Sequence, residues 1–433
     1  MTPARTRRRI SFFTRKLAHI RMDLIENLRS IEDLFYRCEP AVRAFVPEEG
    51  RFQRLRREAE DLQERYPDPV ARPPLFGVLA GVKDIFHVAG FGTRAGSRLP
   101  PEALAGPEAG SARLLREAGA LILGKTVTTE FAYFAPGSTR NPRNLEHTPG
   151  GSSSGSAAAV AAGMCSLALG TQTIGSIIRP AAYCGVVGFK PSFGRVSTEG
   201  LIPLSPSLDH VGFFTPETSG AAVAARVLCQ DWRGLPDLSS RPVLGIPDGP
   251  YLERTSKAGL AHFLATCEHL SEAGYRIMTI PVMPDFNAIY ARHYRILASE
   301  AARFHADWFA KYGHLYDTKT AELVRSGESL SVSQLSEDLE GMIQLRRELT
   351  QTMVENSIDL WISPAATGPA PSGLGSTGDP VMNLPWTQAG LPALNLPAGR
   401  NREGLPLGLQ VVARWQADEA LLAWAGEMER VVN

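Results

Sequence analysis

Cysteine is scarce and scattered in this chain of 433 residues. Cys38, Cys165, Cys184, Cys229 and Cys267 are odd in number, and no pair has the close spacing of a zinc knuckle or a redox motif. That excludes a disulfide-stapled scaffold, and the expected state is free thiols in a reducing cytosol, so a cytoplasmic location. Long apolar runs are missing too. No stretch reaches the roughly 18 consecutive apolar residues of a membrane-spanning helix, so no membrane partner is expected. Net charge is the third absence, because 45 basic side chains cancel 45 acidic ones. Such a chain has no bulk attraction for nucleic acid. Internal repeats are absent, as is a linker that would cut the chain in two. What is present is ordinary globular composition, 44% hydrophobic and 21% charged, and enough length to bury a large core.

The charge is unevenly spread. Seven basic residues and no acid fall in 1–22; subtracting them leaves 38 basic against 45 acidic side chains in 23–433. Thr6-Arg7-Arg8-Arg9-Ile10-Ser11-Phe12-Phe13 is faintly like a twin-arginine export signal. A signal needs an apolar segment of roughly 7–15 residues, and Thr14-Arg15-Lys16 interrupts it. The head is expected to be a disordered basic tail, or to precede a natural start at Met22.

Apolar periodicity predicts helix over 23–66, and buried strands joined by glycine over Leu75–Val82. A helix at Ser111–Ala118 and a strand at Ala120–Val127 follow, then loop over 131–156 and a small-residue helix at Ala157–Ala162. Leu167–Thr171 and Val186–Phe189 read as strands. Beyond Val243 come strand, helix and strand, long helices over 285–312 and 331–356, strands at Leu360–Ser363, Ala393–Leu396 and Leu407–Val412, and a closing helix at Asp418–Val432. Alternation of this kind predicts an α/β fold with a covered, largely parallel sheet in one large domain over 23–433.

Two motif matches sit in the wrong context. Gly119-Ala-Leu-Ile-Leu-Gly124-Lys125-Thr126 has the letters of a phosphate-binding loop. Its middle residues are strand interior, whereas the chemistry needs a loop opening a helix. Lys125 therefore reads as a strand-end lysine. Gly151-Ser152-Ser153-Ser154-Gly155 has the letters of a nucleophile elbow, with Asp285 and His293 as downstream partners. The elbow needs a strand running into the serine, and the loop-like Glu146–Gly150 precedes it.

Three other features combine better. Lys83 lies in an apolar run, Gly81-Val82-Lys83-Asp84-Ile85-Phe86. It either acts as a base whose pKa burial has lowered, or sits at a strand end and snorkels to water. Pro149-Gly-Gly-Ser152-Ser153-Ser154-Gly-Ser156 runs directly into a tight alanine helix, which a flexible linker rarely does. In Gly170-Thr171-Gln172-Thr173-Ile174-Gly175-Ser176, the N–H groups of Thr173, Ile174, Gly175 and Ser176 can line up as an oxyanion hole. The plain alternative is a tight turn between strands.

Together these residues resemble the amidase signature family, with its lysine upstream of a Gly/Ser-rich stretch holding two serines. The stretch is Pro149–Pro191, the lysine is Lys83, and Ser152 and Ser176 stand 24 positions apart as the family pattern requires. Leu123–Thr126, Thr139–Pro142, Trp386–Leu394 and Leu405–Gln410 are family-like as well. The resemblance covers a core over 75–215 and 381–412, and leaves 230–360 as a variable substrate region. It implies a single α/β/α domain whose mixed central sheet is covered by helices on both faces.

The resemblance also implies a Ser–cis-Ser–Lys triad: Ser176 as nucleophile, Ser152 with a cis peptide bond as bridge, and Lys83 as base. Ala132, Tyr133, Phe134, Ser153 and Trp386 are implied to contact substrate. No metal or organic cofactor is expected. The implied activity is hydrolysis of uncharged amides through an acyl-enzyme, with carbamates or esters as alternatives. The implied partner is a small molecule, and the chain a monomer or homodimer. The rival is a catalytic subunit of a multi-protein amidotransferase. The chain departs from the family where Gln172 replaces an acid, Ile174 replaces a glycine, and the arginine comes one residue late, at Arg179. A neutral network around Gln172 is the expected result.

Overall fold

The computed structural model describes residues 24–238 and 240–432, in which ten strands form one sheet. The basic head at 1–22 lies outside the described residues. The strands are β1 (Leu79–Lys83), β2 (Leu121–Thr126), β3 (Leu167–Gln172), β4 (Val187–Lys190), β5 (His210–Thr215), β6 (Leu244–Asp248), β7 (Ile277–Pro281), β8 (Leu360–Pro364), β9 (Ala393–Arg400) and β10 (Pro406–Val412). Their order is β2-β1-β3-β5-β4-β9-β10-β8-β6-β7. Parallel pairs occupy both ends of the sheet, and the five pairings from β3 to β8 are antiparallel. The sheet is thus mixed, and alternation alone overstates its parallel share. The link from β9 to β10 spans only residues 401–405, too short for the crossover of about a dozen residues that parallel strands need.

Period-two alternation covers the sheet on both faces. Leu167 and Leu169 of β3 enter one apolar core and Ala168 the other, and Phe213 and Phe214 of β5 divide the same way.

Most elements fall near their sequence positions, and the departures have local causes. The helix expected over 23–66 is two, Leu24–Val42 and Arg51–Arg65. Between them Arg43 and Gly50 take positive φ, 54° and 67°, which a continuous helix cannot accommodate. Leu75–Val78 is a turn rather than strand, with Gly77 at φ 71° and Val78 N–H donated to Leu75. Burial without alternation does not separate the two. The alanine helix starts earlier than expected, at Ser154. The helix Ile178–Cys184 and strand β5 are additions to the sequence reading.

Candidate active site

Parallel pairing of β1 with β3 brings two chain segments to one edge. Val82 stands opposite Leu169, which sets Lys83, the last residue of β1, close to Thr171 near the end of β3. Lys83 is fully buried, and its Nζ donates to Ser152 Oγ and Thr171 Oγ1, both at 2.7 Å. Burial lowers its pKa to about 7, and the Asp209 carboxylate works against that fall. The snorkelling alternative does not describe this side chain.

The serine-rich stretch is stitched to the strand ends. The Gly151–Ser152 peptide bond is cis, and Ser152 C=O accepts from Thr129 N–H at 3.2 Å. Ser153 Oγ donates to Thr171 C=O at 3.1 Å and accepts from Thr171 N–H at 3.3 Å. Ser156 Oγ donates to Leu169 C=O at 2.8 Å. Ser153, expected at the substrate, is fully buried and clasps the β3 backbone.

Ser176 sits on the loop between β3 and the Ile178–Cys184 helix. It is 7% exposed, and its hydroxyl bonds to no other described residue. The N–H groups of Ile174, Gly175 and Ser176 likewise find no acceptor among the described residues. The loop is instead held by its other atoms. Thr173 C=O accepts from His293 Nε2 at 3.1 Å, and Ile174 C=O from Thr387 Oγ1 at 2.6 Å. Thr173 Oγ1 donates to Asp209 Oδ1 at 2.5 Å. Gly175 is required: a Cβ there would lie 2.3 Å from Asn383 Oδ1.

Gln172 organises a neutral network. Its Oε1 accepts from the N–H groups of Ile177 and Ile178 at 2.8 and 3.0 Å, and its Nε2 donates to Thr387 Oγ1 at 2.9 Å. Arg179, fully buried, points elsewhere. Its Nη2 donates to Gly151 C=O at 2.7 Å and to Thr377 Oγ1 at 3.2 Å.

Of the residues expected at the substrate, Tyr133 and Phe134 are half-buried, with ring centroids 4.6 Å apart. Ala132 lies beside them at φ 61°. Trp386 is fully buried, and its indole N–H donates to the Tyr251 hydroxyl at 2.9 Å. The two misleading motifs resolve into structure. Lys125 lies in β2 and pairs with Asp84 at 2.7 Å, both buried. Asp285 caps the Phe286–Phe304 helix through Ala288 N–H, and His293 bonds Thr173, so neither partners Ser153.

The sequence reading gave Thr171 and Asp209 no role, and named His293 only as a partner for the elbow serine. Asp209 accepts from the N–H groups of Leu204 and Ser205 at 2.9 and 3.0 Å. Burial raises its pKa to about 6, and these bonds and the Thr173 hydroxyl resist the rise. In sequence it stands in Ser205-Pro206-Ser207-Leu208-Asp209-His210, a polar stretch without the contrast that marked Lys83. His293 carries no such mark. Its pKa is pushed down to about 3 by burial, so it stays neutral and donates from Nε2.

A buried lysine is thus hydrogen-bonded to Ser152 and to Thr171, and the chain after Thr171 runs into a serine loop whose backbone N–H groups find no acceptor among the described residues. The family model for amidases, Amidase, matches residues 49–422, and the chain belongs to that family, the amidase signature hydrolases. Relatives include the A subunits of the glutamyl-tRNA(Gln) amidotransferases of Synechococcus sp. (strain WH7803) and Prochlorococcus marinus (strain MIT 9313). Each is 31% identical, with 91% of both chains covered. Among solved structures, a crystal structure of an amidase aligns with TM-score 0.86 and 31% identity over 96% of this chain and all of that one. A vestigial complex bearing on an s-triazine catabolic enzyme aligns with TM-score 0.83 and 26% identity, over 96% and 97%. The substrate complex of 6-aminohexanoate cyclic dimer hydrolase shares the fold, with TM-score 0.82, 22% identity and coverage of 97% and 96%.

Proposed function

We propose that this chain hydrolyses the C–N bond of small uncharged amides through an acyl-enzyme on Ser176. The observation that carries the reading is the fully buried Lys83 Nζ, 2.7 Å from Ser152 Oγ and with a pKa of about 7. An amine with that pKa is largely neutral in mildly alkaline water and can take a proton. Ser176 Oγ attacks the carbonyl carbon as its proton passes to Ser152 Oγ, whose own proton passes to Lys83. The carbonyl electrons move to oxygen, which accepts from the free N–H groups of the 174–176 loop. The C–N bond breaks as the relay returns the proton to nitrogen, and the amine leaves. Water then adds to the ester, gives its proton to the same relay, and releases the acid and Ser176.

The same machinery would cleave carbamates and esters, so matched aryl amide, ester and carbamate substrates are the test. Amide turnover by the purified chain, lost in Ser176→Ala and blocked by a phosphonate bound at Ser176, is the expected result. Labelling at another residue would overturn the assignment. All five cysteines carry thiols, which supports a reducing, cytoplasmic setting. Similarity to amidotransferase A subunits over 91% of the chain supports a second reading, a protein that works only with partner chains. Chromatographic mass together with hydrolysis by the isolated chain separates that case from a monomer or homodimer.

A further inference from the structure

The Phe286–Phe304 helix belongs to the stretch that matches no motif, yet it reaches the reactive centre. His293 docks one face of it on Thr173 at 3.1 Å. Tyr290 and Tyr294, one turn apart, flank that contact with ring centroids 4.8 Å apart and planes tilted by 42°. Tyr294 lies within electrostatic range of Arg179, which bonds the carbonyl of Gly151, next to Ser152. Tyr133 lies within range of Tyr290, and Tyr294 within range of Tyr133. Tyr133 itself follows Thr129–Ala132, tied to Ser152 by the Thr129 N–H. Three phenols from two distant segments therefore converge beside one place, bounded by the Thr173 loop, Gly151–Ser152 and Thr129–Ala132.

All three rings are half-buried and pack against the same apolar core, so each keeps part of its surface accessible. Burial raises the pKa of Tyr133 to about 12 and that of Tyr294 further, so both stay uncharged. The charged neighbours of these tyrosines are Glu322 at Tyr133, and Asp379 and Arg179 at Tyr294. Arg179 is fully buried and its Nη2 is engaged by Gly151 C=O and Thr377 Oγ1, so the other charged neighbours are both carboxylates.

We propose that Tyr133, Tyr290 and Tyr294 form an aryl subsite, and that Tyr290 and Tyr294 select substrates carrying a neutral aromatic ring. The ring stacks or meets edge-to-face with the tyrosines, an interaction that water and an aliphatic chain do not replace. An anionic ring substituent is disfavoured by Glu322 and Asp379. The inference rests on the hydrolase reading of the same site.

The test compares kcat/KM for benzamide and acetanilide with that for hexanamide. Tyr290→Ala and Tyr294→Ala should each lower the ratio of the better aryl substrate to hexanamide about tenfold, mainly through KM. Tyr290→Phe and Tyr294→Phe, which keep the ring and the fold, should hold most of that ratio. An equal loss for aryl and aliphatic substrates, or none, overturns the proposal. Whichever aryl substrate responds shows whether the ring belongs to the acyl or the amine side. Benzamide and acetanilide binding to Ser176→Ala protein, by calorimetry, separates the two ideas. Aryl binding that Tyr290→Ala abolishes in a chain without turnover sinks the hydrolase reading and keeps the subsite. Turnover without aryl preference does the reverse.

Discussion

Lys83→Met should inactivate the protein and stabilise it, and the stabilisation should fade as pH rises. Lys83 is fully buried and its pKa has fallen from 10.5 to about 7. At about 1.4 kcal/mol per unit, the fold bears roughly 4–5 kcal/mol to hold this ammonium charged. The sign follows from proton counting. Between pH 7 and 10.5 the unfolded chain binds more protons at this residue than the folded one, so stability rises with pH across that window. Below about pH 7 the penalty is fully present, and above 10.5 it is gone. Methionine removes the charge but leaves the Ser152 and Thr171 hydroxyls without a partner, at about 1 kcal/mol each. The net gain is on the order of 2–3 kcal/mol at pH 6, shrinking towards pH 10. Urea unfolding of both proteins at pH 6, 8 and 10 measures it. On the kinetic side, wild-type kcat/KM should rise with pH through about 7 and stand roughly a hundredfold below its plateau at pH 5. Lys83→Met should lose roughly 10²–10⁴ in rate at neutral pH. A destabilised Lys83→Met protein whose deficit does not vary with pH would refute the argument. So would a wild-type acid limb above pH 9.

Three further outcomes follow from the supporting contacts. His293→Leu removes the donor to Thr173 C=O and should cut kcat about tenfold with little change in KM; His293→Gln, which keeps a donor, should recover part of it. Because His293 is held neutral down to about pH 3, neither variant should move the limb near pH 7. Gln172→Glu keeps the acceptor for Ile177 and Ile178 but adds a buried anion one residue from Thr171, so the Lys83 limb should climb by about one unit in the pH–rate profile. Asp84→Ala strands buried Lys125 and should cost roughly 3–5 kcal/mol in urea unfolding, with no change in nucleotide binding, since Lys125 belongs to a strand.

What was legible in the sequence was chemistry out of place. A lysine in an apolar run, serines massed before an alanine helix, and a glycine–serine pair at a strand end each contradict the local pattern, and the structure bonds Lys83 to Ser152 and to Thr171 of the strand that leads to Ser176. Gln172 was legible for the same reason, as a substitution whose neutral network the hydrogen bonds reproduce. The supports were not legible, because each acts on a distant residue from an ordinary setting. His293 is 120 positions from the Thr173 carbonyl it holds, and Thr387 is 213 from that of Ile174. Glu300 accepts from the hydroxyls of Ser205 and Ser207, both at 2.6 Å, and so steadies the turn that carries Asp209. Nothing in a helical stretch such as Arg292-His293-Tyr294 signals which loop its face will meet. This division has a functional consequence. The groups proposed to react come from the motif-bearing half of the sheet, whereas the brace on the Thr173 loop and the pair Tyr290 and Tyr294 come from one helix of the segment in which the sequence carries no motif. Changes on that helix can therefore alter what is bound and how firmly the loop is aimed without touching Lys83, Ser152 or Ser176.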